Sequence, residues 1–291
     1  MKSEKIIKAF LEEKRGYLKK SPEFILDRLN IPVSNNNILI CKEVRKAVKI
    51  SSKANKRLLK VTVPVTPTRV VNHNGNDTIL VIGDLHEPFC LVGYLEFCKE
   101  QYVKYNCTRV VFIGDVIDNH YSSYHETDSE AMGGKYELEQ ACEKIKTWYE
   151  AFPEADVTLG NHDRIIIRKA QSSNIPTKWI KEFSEVLETP GWNFVTEVFY
   201  DNVRYVHGDK SGKPHMAAKR DMMSTVSGHY HTEMGVQWFF GQLLAIFSMA
   251  VGCGIDSKKY AMGYMQGGKK EAIGCGIVVG GKVAFNVRME L

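Results

Sequence analysis

Aspartate and histidine residues recur in this chain in five short motifs, each of which directly follows an apolar run. Carboxylate and imidazole groups together are the ligands that zinc, manganese and iron bind in proteins. One such ion takes about three or four ligands, so the larger number here matches two ions that share a bridging carboxylate. Two ions about 4 Å apart can clamp the attacking and leaving oxygens of a phosphoryl transfer. The candidate ligands are Asp84, His86, Asp115, Asn161, His207, His229 and His231.

Each motif taken alone is a weak signal. A single D-x-H or G-D-x-x-D sequence is more often a helix cap or a turn, and two histidines on one strand are often simply exposed. All five motifs nevertheless occur in order between Asp84 and His231. Because ligands of α/β proteins bind beyond the carboxyl ends of strands, the set predicts one composite site.

The apolar runs predict the elements that must position these motifs. Strands are expected at 78–82, 109–113 and 156–159, with helices at 91–105 and 135–152 between them. Strands and helices that alternate in this way predict an α/β fold with a parallel core. Closely spaced strands then predict a mixed or two-sheet architecture, and they are expected at 204–206, 225–227, 236–240, 243–247 and 273–287.

In their order these motifs resemble the calcineurin-like metallophosphoesterase superfamily, whose pattern is D-x-H, GDxxD, GNH-D/E, a single His and GHxH. The resemblance covers the chain from about residue 78 onward. It implies a four-layer α/β/β/α sandwich with two divalent metal ions between its sheets. The ions would be Mn, Fe, Zn or Ni, with Mn favoured, and they would activate a hydroxide for attack on phosphorus.

The resemblance also implies a role for each site residue. By position, one metal would be held by Asp84, His86 and His231, the other by Asn161, His207 and His229, with Asp115 as the bridge. His162 would protonate the leaving group and steady the phosphoryl charge. Either Asp163 or Asp118 would orient the His162 imidazole, and the sequence does not choose between them.

One position departs from the protein Ser/Thr phosphatase branch of this superfamily. In that branch an arginine that clamps phosphate follows GDxxD, whereas Asn119 stands there in this chain. A bidentate guanidinium clamp is therefore missing at this point. The departure weakens the interpretation as a protein phosphatase and favours the phosphodiesterase and nuclease branches.

Charge is unevenly distributed along the 291 residues. Residues 1–70 hold 17 Lys and Arg against 6 Asp and Glu, whereas residues 71–291 hold 22 against 28. We therefore expect a basic helical segment with a linker at 1–70 and a metallophosphoesterase domain at 71–291. A basic segment is typical of a domain that binds anions, and nucleic acid is the partner it would suit.

Within the basic segment, helices are expected at 3–13, from Ser21-Pro22 onward and near 38–48. Two short helices across a tight turn, the second of them basic, resemble a helix-turn-helix. A helical lid or an oligomerisation arm with solvated lysines fits the same pattern, so both interpretations stay open. Residues 60–71 predict an edge strand or linker, because two prolines interrupt the run.

Three functions are compatible with these residues. The first is a phosphodiesterase acting on nucleic acid or nucleotides, the second a small-molecule or protein phosphomonoesterase, and the third a catalytically idle nucleic-acid-binding or scaffolding protein. The loop at 119–125 and the basic residues Arg164, Arg168 and Lys169 could meet a polyanion or form a solvated face. The intact ligand set argues against an idle protein.

Composition limits the setting of this activity. The chain is 44% hydrophobic and 25% charged, as is ordinary for a soluble globular protein. No apolar run approaches the roughly 20 residues of a membrane span, so no membrane partner is expected. The seven cysteines are odd in number and scattered, which is typical of buried thiols in a reducing cytoplasm.

Overall fold

The computed structural model of the chain divides into two compact units, Met1–Thr62 and Val63–Leu291. It describes residues 2–14, 19–58, 69–71, 75–124, 131–259, 261 and 270–291. The greater part of the expected linker lies outside the described residues, and so does His125 of the expected polar loop. Among the described residues, no helix combines the length and the apolar content that crossing a bilayer requires.

The described residues of the first unit form three helices, α1 (Lys2–Glu13), α2 (Pro22–Arg28) and α3 (Asn35–Leu58). Apolar residues at helical spacing form its core, which consists of Ile7, Leu11, Ile25, Leu26, Cys41, Val44 and Val48. The Ser21 hydroxyl accepts a hydrogen bond from Phe24 N at 3.2 Å and so caps α2.

The third helix is longer than the expected 38–48. It begins at Asn35, because the Ser34 hydroxyl accepts a hydrogen bond from Asn37 N at 3.3 Å and caps it there. It continues to Leu58, since neither glycine nor proline interrupts the sequence between its ends.

The second unit contains two six-stranded sheets flanked by helices. In spatial order the first sheet consists of β12 (Val283–Arg288), β11 (Gly274–Val279), β2 (Thr78–Ile82), β3 (Arg109–Phe112), β4 (Ala155–Thr158) and β5 (Trp192–Val195). Strands β2 to β5 are parallel, and β11 and β12 extend the sheet as antiparallel strands. The parallel core expected from alternating strands and helices is confirmed, with α4 (Tyr94–Lys104) and α5 (Gly134–Ala151) as the connecting helices.

The second sheet mixes parallel and antiparallel pairs. In spatial order its strands are β1 (Arg69–Val71), β6 (Glu197–Tyr200), β7 (Val203–Val206), β8 (Ser224–Ser227), β10 (Ala245–Ala250) and β9 (Gly235–Phe240). Strands β7, β8 and β10 are parallel to one another. Three short helices complete the unit, namely α6 (Ile165–Ser172), α7 (Phe183–Val186) and α8 (Met216–Asp221), of which α8 packs on β8 and β10.

Strand β2 has both of its faces buried. Ile79 and Val81 belong to the apolar cluster that also contains side chains of β7, β8 and β10, so this cluster lies between the sheets. Leu80 and Ile82 point the other way and pack with side chains of α4 and α5. Because side chains alternate along a strand, this arrangement places the first sheet between a helix layer and the second sheet. With α8 packed on the second sheet, it gives the α/β/β/α order of layers that the resemblance implies.

Three parts of the second unit differ from the sequence expectation. The run expected at 273–287 is a hairpin of β11 and β12, because the chain turns at Gly280 and Gly281, whose φ values are positive. Strands β5 and β6 lie at 192–200, where none was predicted, because polar residues such as Asn193 and Glu197 interrupt the apolar runs. Strand β10 begins at Ala245 rather than at 243, because the chain turns at 241–244. In that turn Gly241 N donates a hydrogen bond to Leu244 O at 2.7 Å.

Candidate metal centre

The five motifs lie where strands end. Asp84, Asp115 and Asn161 follow the parallel strands β2, β3 and β4, and His207 and His229 follow β7 and β8 of the other sheet. Parallel neighbours place their carboxyl ends at the same edge, so the turns within each sheet come together. The structure thus brings residues that are far apart in sequence into one place.

The backbone of these turns is tightly constrained. His86, Asp115 and His229 have φ values of 51°, 47° and 70°, a conformation that costs free energy for any residue except glycine. Gly160 is required beside them, because a Cβ at that position would collide with Asp115 Oδ1. Strained backbone that surrounding packing holds in place is typical of functional sites.

One cluster joins four of the expected ligands. Asp84, His86, Asp115 and His231 each offer an atom, and these atoms all lie within 4.8 Å of one another. His231 Nε2 is 3.0 Å from Asp84 Oδ2 and 3.2 Å from His86 Nε2. His86 Nε2 is in turn 3.7 Å from Asp115 Oδ2.

A second cluster shares Asp115 with the first. Asp115, His207 and His229 offer atoms that also lie within 4.8 Å of one another. His207 Nε2 is 3.0 Å from Asp115 Oδ2 and 3.1 Å from Asn161 Oδ1, so Asn161 joins this cluster. All seven expected ligands therefore lie in two clusters, and Asp115 is the residue common to both.

The donor atoms of the first cluster fit a cation. His86 Nδ1 lies 2.5 Å from Asp118 Oδ1, so Nδ1 carries the proton and Nε2 presents a lone pair toward the cluster. Among the described residues, the buried Asp84 Oδ1 has no hydrogen-bond partner. A buried carboxylate oxygen without a donor and an imidazole lone pair beside it are what a divalent ion would satisfy.

The second cluster has a strongly negative local potential. Burial by itself lowers the pKa of His207, but the carboxylates of Asp115 and Asp84 outweigh it and raise the pKa to about 10. His207 Nδ1 donates to Ile113 O at 2.9 Å, which directs Nε2 toward Asp115. The same carboxylates that favour a proton on His207 would favour a divalent cation in its place.

Residues 77–245 match the family model described as calcineurin-like phosphoesterase. The match spans more than half of the chain and contains every expected ligand. The chain belongs to the calcineurin-like phosphoesterase family. Hydrolysis of phosphoesters is accordingly the class of reaction that this site must be tested for.

Several solved structures are similar to this member of the family. Vacuolar protein sorting 29 from Cryptosporidium parvum is 13% identical, with a TM-score of 0.38 over 74% of this chain and 99% of that one. Yfce, a phosphoesterase from E. coli, is 13% identical, with a TM-score of 0.35 over 69% and 87%. Nuclease MPE from Pseudomonas putida is 13% identical, with a TM-score of 0.30 over 72% and 87%. No curated protein matches the chain.

The two aspartates between which the sequence did not choose have different surroundings in this member of the family. His162 Nδ1 is 2.8 Å from Asp118 O and 3.2 Å from Asp118 Oδ1. The Asp163 carboxylate instead accepts hydrogen bonds from the backbone N–H groups of Asp115, Val116 and Gly160, at 2.8, 3.1 and 2.8 Å. The geometry therefore favours Asp118 as the partner of His162, and Asp163 as the residue that holds the motif backbone.

His162 is held in its charged form. Burial lowers the pKa of its imidazole, but the negative charges of Asp115 and Asp118 outweigh burial and raise the pKa to about 10. Burial alone raises the pKa of Asp118, yet hydrogen bonds from His162 and His86 bring it below the usual range. Asp118 is therefore an anion shared by two imidazoles, one of which belongs to the first cluster.

Sequence analysis missed Glu137 of α5. Its buried carboxylate accepts hydrogen bonds from His120 N at 2.6 Å and Tyr121 N at 3.2 Å, just after the GDxxD motif. The signal was present in the sequence, because Glu137 lies one helical turn before Ala141 on the apolar face of α5. A carboxylate on that face indicates a buried backbone partner.

Asn119, at the position of the phosphatase arginine, has structural contacts. Its Nδ2 donates to His162 O at 3.1 Å, and its Oδ1 accepts from the Tyr121 hydroxyl at 3.2 Å. Arg164 lies after the GNHD motif, where its Nη2 donates to Asp209 Oδ2 at 2.8 Å. Arg164 and Asp209 line a cavity of about 270 Å³ beside His207.

The expected polar loop forms a 3-10 turn at His120–Ser122 followed by Tyr124. The Tyr124 side chain is 58% exposed. The guanidinium of Arg168 and the ammonium of Lys169 lie 4.9 and 5.3 Å from the centre of its ring. The exposed Arg168 and the half-buried Lys169 are thus brought together with Tyr124 into one basic and aromatic surface.

Proposed function

We propose that this protein is a dinuclear metal-dependent phosphoesterase that hydrolyses a phosphodiester of a nucleic acid or nucleotide. The observation that carries the proposal is the pair of ligand clusters that share Asp115. Two bound divalent ions, with Mn favoured among Mn, Fe, Zn and Ni, would supply an activated water and neutralise charge on the phosphoryl oxygens. The proposed ligands are those of the two clusters, Asp84, His86, Asp115 and His231 with Asn161, His207 and His229.

His162 is the proposed proton donor to the leaving oxygen. Its Nδ1 faces Asp118, so Nε2 is the ring atom that can reach a substrate. Because Nδ1 lies 3.2 Å from the Asp118 carboxylate, which favours a proton on the ring, His162 can hold a proton for an alkoxide that forms beside it. Asp118 orients the ring, and Asp163 acts one step further away by holding the backbone of the GDxxD turn.

Two features of Asn119 support a phosphodiester over a phosphomonoester as the substrate. Asn119 replaces the phosphatase arginine, and its side chain is bonded to His162 O and the Tyr121 hydroxyl. A terminal phosphate carries about one more negative charge than a diester at neutral pH and gains more from a guanidinium clamp. Because the Asn119 amide is already hydrogen-bonded to the backbone carbonyl of His162, it offers no comparable clamp. The site therefore suits the less charged diester.

The surface around Tyr124 supports a nucleotide as the group that the ester carries. An exposed tyrosine ring can stack on a base, and the adjacent cations of Arg168 and Lys169 can meet a neighbouring phosphate. The cavity beside His207 is lined by Arg164, which is paired with Asp209, and by Lys210, whose ammonium could meet a further phosphate. A small aryl diester would use neither surface.

The proposal is tested by comparing substrates with added Mn²⁺. We expect cleavage of a bis-aryl phosphodiester and of labelled DNA or RNA, with a much lower rate on an aryl phosphomonoester. A His207→Ala variant should lose all of these activities, whereas Asp201→Asn, a control outside the clusters, should keep them. Cleavage of the monoester alone would reject the diester, and metal binding without any cleavage would favour the idle protein.

The Tyr124 surface is tested separately. Tyr124→Phe should keep cleavage of nucleic acid, and Tyr124→Ala should reduce it by about tenfold, since a stacked base contributes about 1–3 kcal/mol. Cleavage of the bis-aryl diester should be equal in all three proteins. A loss on both substrates would mean that Tyr124 supports the loop rather than the substrate.

The setting that we propose is a two-domain protein of the cytoplasm, with a basic helical segment plus linker at 1–70 and the phosphoesterase domain at 71–291. The compact units divide a little earlier, after Thr62, because β1 pairs with β6 of the second unit. All seven cysteines are free thiols, which suits a reducing compartment. Nucleic acid is the proposed partner of the basic domain, and phosphodiester that of the metal centre.

A further inference from the structure

Helix α3 has two chemically distinct faces. Cys41, Val44 and Val48 lie in the core of the first unit. On the opposite side an exposed stripe runs along the helix at spacings of four, three and four residues, formed by Asn35, Leu39, Lys42 and Lys46. Such spacings keep side chains on one face, so this stripe (the α3 stripe) is a continuous surface.

The connection from α2 to α3 is fixed by its own polar groups. Asn30 has a φ of 51°, and Ile31 N donates to Leu26 O at 2.9 Å, which ends α2. Asn37 Nδ2 donates to Pro32 O at 2.8 Å and ties the start of α3 back to the turn. The Asn37 amide is therefore already hydrogen-bonded within the first unit, whereas Asn35, the first residue of the α3 stripe, is exposed.

Charge on the first unit is strongly positive. Eight of its described basic side chains are exposed, namely Lys5, Lys8, Lys14, Lys19, Lys20, Arg28, Lys42 and Lys46. Only three acidic side chains are exposed among the described ones, and these are Glu23, Asp27 and Glu43. An excess of this kind complements a phosphate backbone, because each neutralised phosphate releases condensed counterions.

We propose that the first unit binds duplex DNA and that the α3 stripe enters the major groove. Asn35 and its exposed neighbour Asn36 would meet base edges, where an amide can pair with adenine, and Leu39 would contact a thymine methyl group. Lys42 and Lys46 would reach phosphates. The inference deepens the proposed function, on which it rests only for nucleic acid as the polymer, and it uses residues that the metal centre does not.

The composition of the α3 stripe favours duplex DNA over other nucleic acids. Duplex RNA has a deep and narrow major groove that a helix cannot enter. Single strands are usually held by aromatic side chains on which bases stack, and the α3 stripe has none. A helix with amides and lysines on one exposed face fits the width of the B-form major groove.

The same residues argue against a second copy of the chain as the occupant. A helix that pairs with its copy needs a repeated apolar seam. The α3 stripe holds one apolar residue, Leu39, together with Lys42 and Lys46, which would face their own copies across a symmetric contact. Like charges opposed in this way disfavour association.

The test measures binding of the full-length protein to a fluorescent DNA duplex of mixed sequence, by anisotropy, with a chelator present so that no cleavage occurs. We expect the affinity to fall steeply as salt increases. A Lys42→Ala/Lys46→Ala variant should bind about tenfold more weakly, and the slope of log K against log salt should shrink by about 2, or 0.9 for each phosphate contact. The control Lys178→Ala/Lys282→Ala removes the same charge from exposed lysines of the second unit and should bind as the unmodified protein does.

Three results would overturn the inference. They are equal losses in the two double variants, tighter binding to duplex RNA or single strands than to duplex DNA, and a change in oligomeric state of Lys42→Ala/Lys46→Ala without a change in DNA binding. The same variant should cleave the bis-aryl diester at the normal rate. If the metal centre proves inactive, the DNA-binding measurement can still be interpreted. If the protein does not bind DNA, the cleavage of the bis-aryl diester can still be interpreted.

Discussion

The two edges of the first sheet each bury carboxylates, and the carboxylates differ in their partners. At the amino-terminal edge, Asp156 of β4 accepts a hydrogen bond from Asn193 Nδ2 at 2.8 Å and another from the Tyr200 hydroxyl. At the carboxyl edge, Asp115 lies 3.0 Å from His207 Nε2, and Asp84 has a buried oxygen without a hydrogen-bond partner among the described residues.

This difference distinguishes a structural carboxylate from one built to bind a cation. Neutral donors from Asn193 and Tyr200 satisfy Asp156 within the protein itself. At the other edge, two carboxylates approach one another among imidazoles that are themselves ligands for metals, so negative charge accumulates with too few donors. Burial occurs at both edges, and the chemistry of the neighbours is what separates them.

The largest expected effect comes from Asp115→Asn. Asp115 is shared by both ligand clusters, so its loss should reduce hydrolysis of a phosphodiester by about 10⁴-fold or more. Manganese at a hundred times its Kd should stabilise the unmodified protein by about 2.7 kcal/mol. That stabilisation, measured as a shift in Tm, should be largely absent in Asp115→Asn.

Asp156→Ala is the matched control at the opposite edge. It should keep both the shift in Tm on adding manganese and the hydrolytic rate of each folded molecule. If Asp115→Asn kept full activity, or if Asp156→Ala lost the response to manganese, the contrast between the two edges would collapse.

His162→Ala tests the acid that stands beside the clusters rather than within them. His162 contacts Asp118 and is not required by either shared ligand set, so metal binding should persist. Turnover should fall by about 10²-fold to 10³-fold, as expected for loss of a general acid. A substrate with a better leaving group should lose less, because it needs less protonation. Equal losses on good and poor leaving groups would contradict the role as a proton donor.

The contrast between the edges also explains what the sequence could predict. The candidate ligands at the carboxyl edge follow strands directly, so short motifs and apolar runs pointed to Asp84, Asp115 and Asn161 and predicted the parallel order of β2, β3 and β4. The amino-terminal edge depends on a contact between Asp156 and Tyr200, which belong to different sheets and are far apart in sequence. No local pattern records such a pair.

The same limit applies within the site. Asp118 and Asp163 stand in equivalent motif contexts, and only the folded backbone separates them, since Asp163 faces backbone N–H groups and Asp118 faces His162. Glu137 was overlooked because its partners, the N–H groups of His120 and Tyr121, lie in the loop after β3 and not on α5 itself. Sequence patterns thus point to candidate ligands that the fold brings together, and they do not point to the residues that hold the backbone around them.

Asp156→Ala should have a smaller effect, and on stability rather than chemistry. It deprives the Asn193 amide and the Tyr200 hydroxyl of this acceptor, which should lower the free energy of unfolding by about 1–3 kcal/mol. Tyr200→Phe removes one of the two donors and should cost about 1 kcal/mol. Urea denaturation measures both. Equal stabilities of all three proteins would mean that the neutral donors do not hold this carboxylate.

The last expected effect is a dependence of stability on pH from Glu137, whose environment lies between these two extremes. Burial, and then the negative charge of Asp118, raise the pKa of Glu137 to about 7. Between the ordinary carboxyl pKa and about 7, the folded protein therefore keeps a proton that the unfolded chain releases, so stability must fall as pH rises through that window. One such proton contributes a slope of about 1.4 kcal/mol per pH unit at most. Glu137→Gln should be less stable at low pH but should show the shallower decline, as measured by urea denaturation at a series of pH values. If the free energy of unfolding declined with pH equally in the two proteins, Glu137 would not hold a proton in this window. It would then be an ionised carboxylate that accepts hydrogen bonds from the backbone N–H groups.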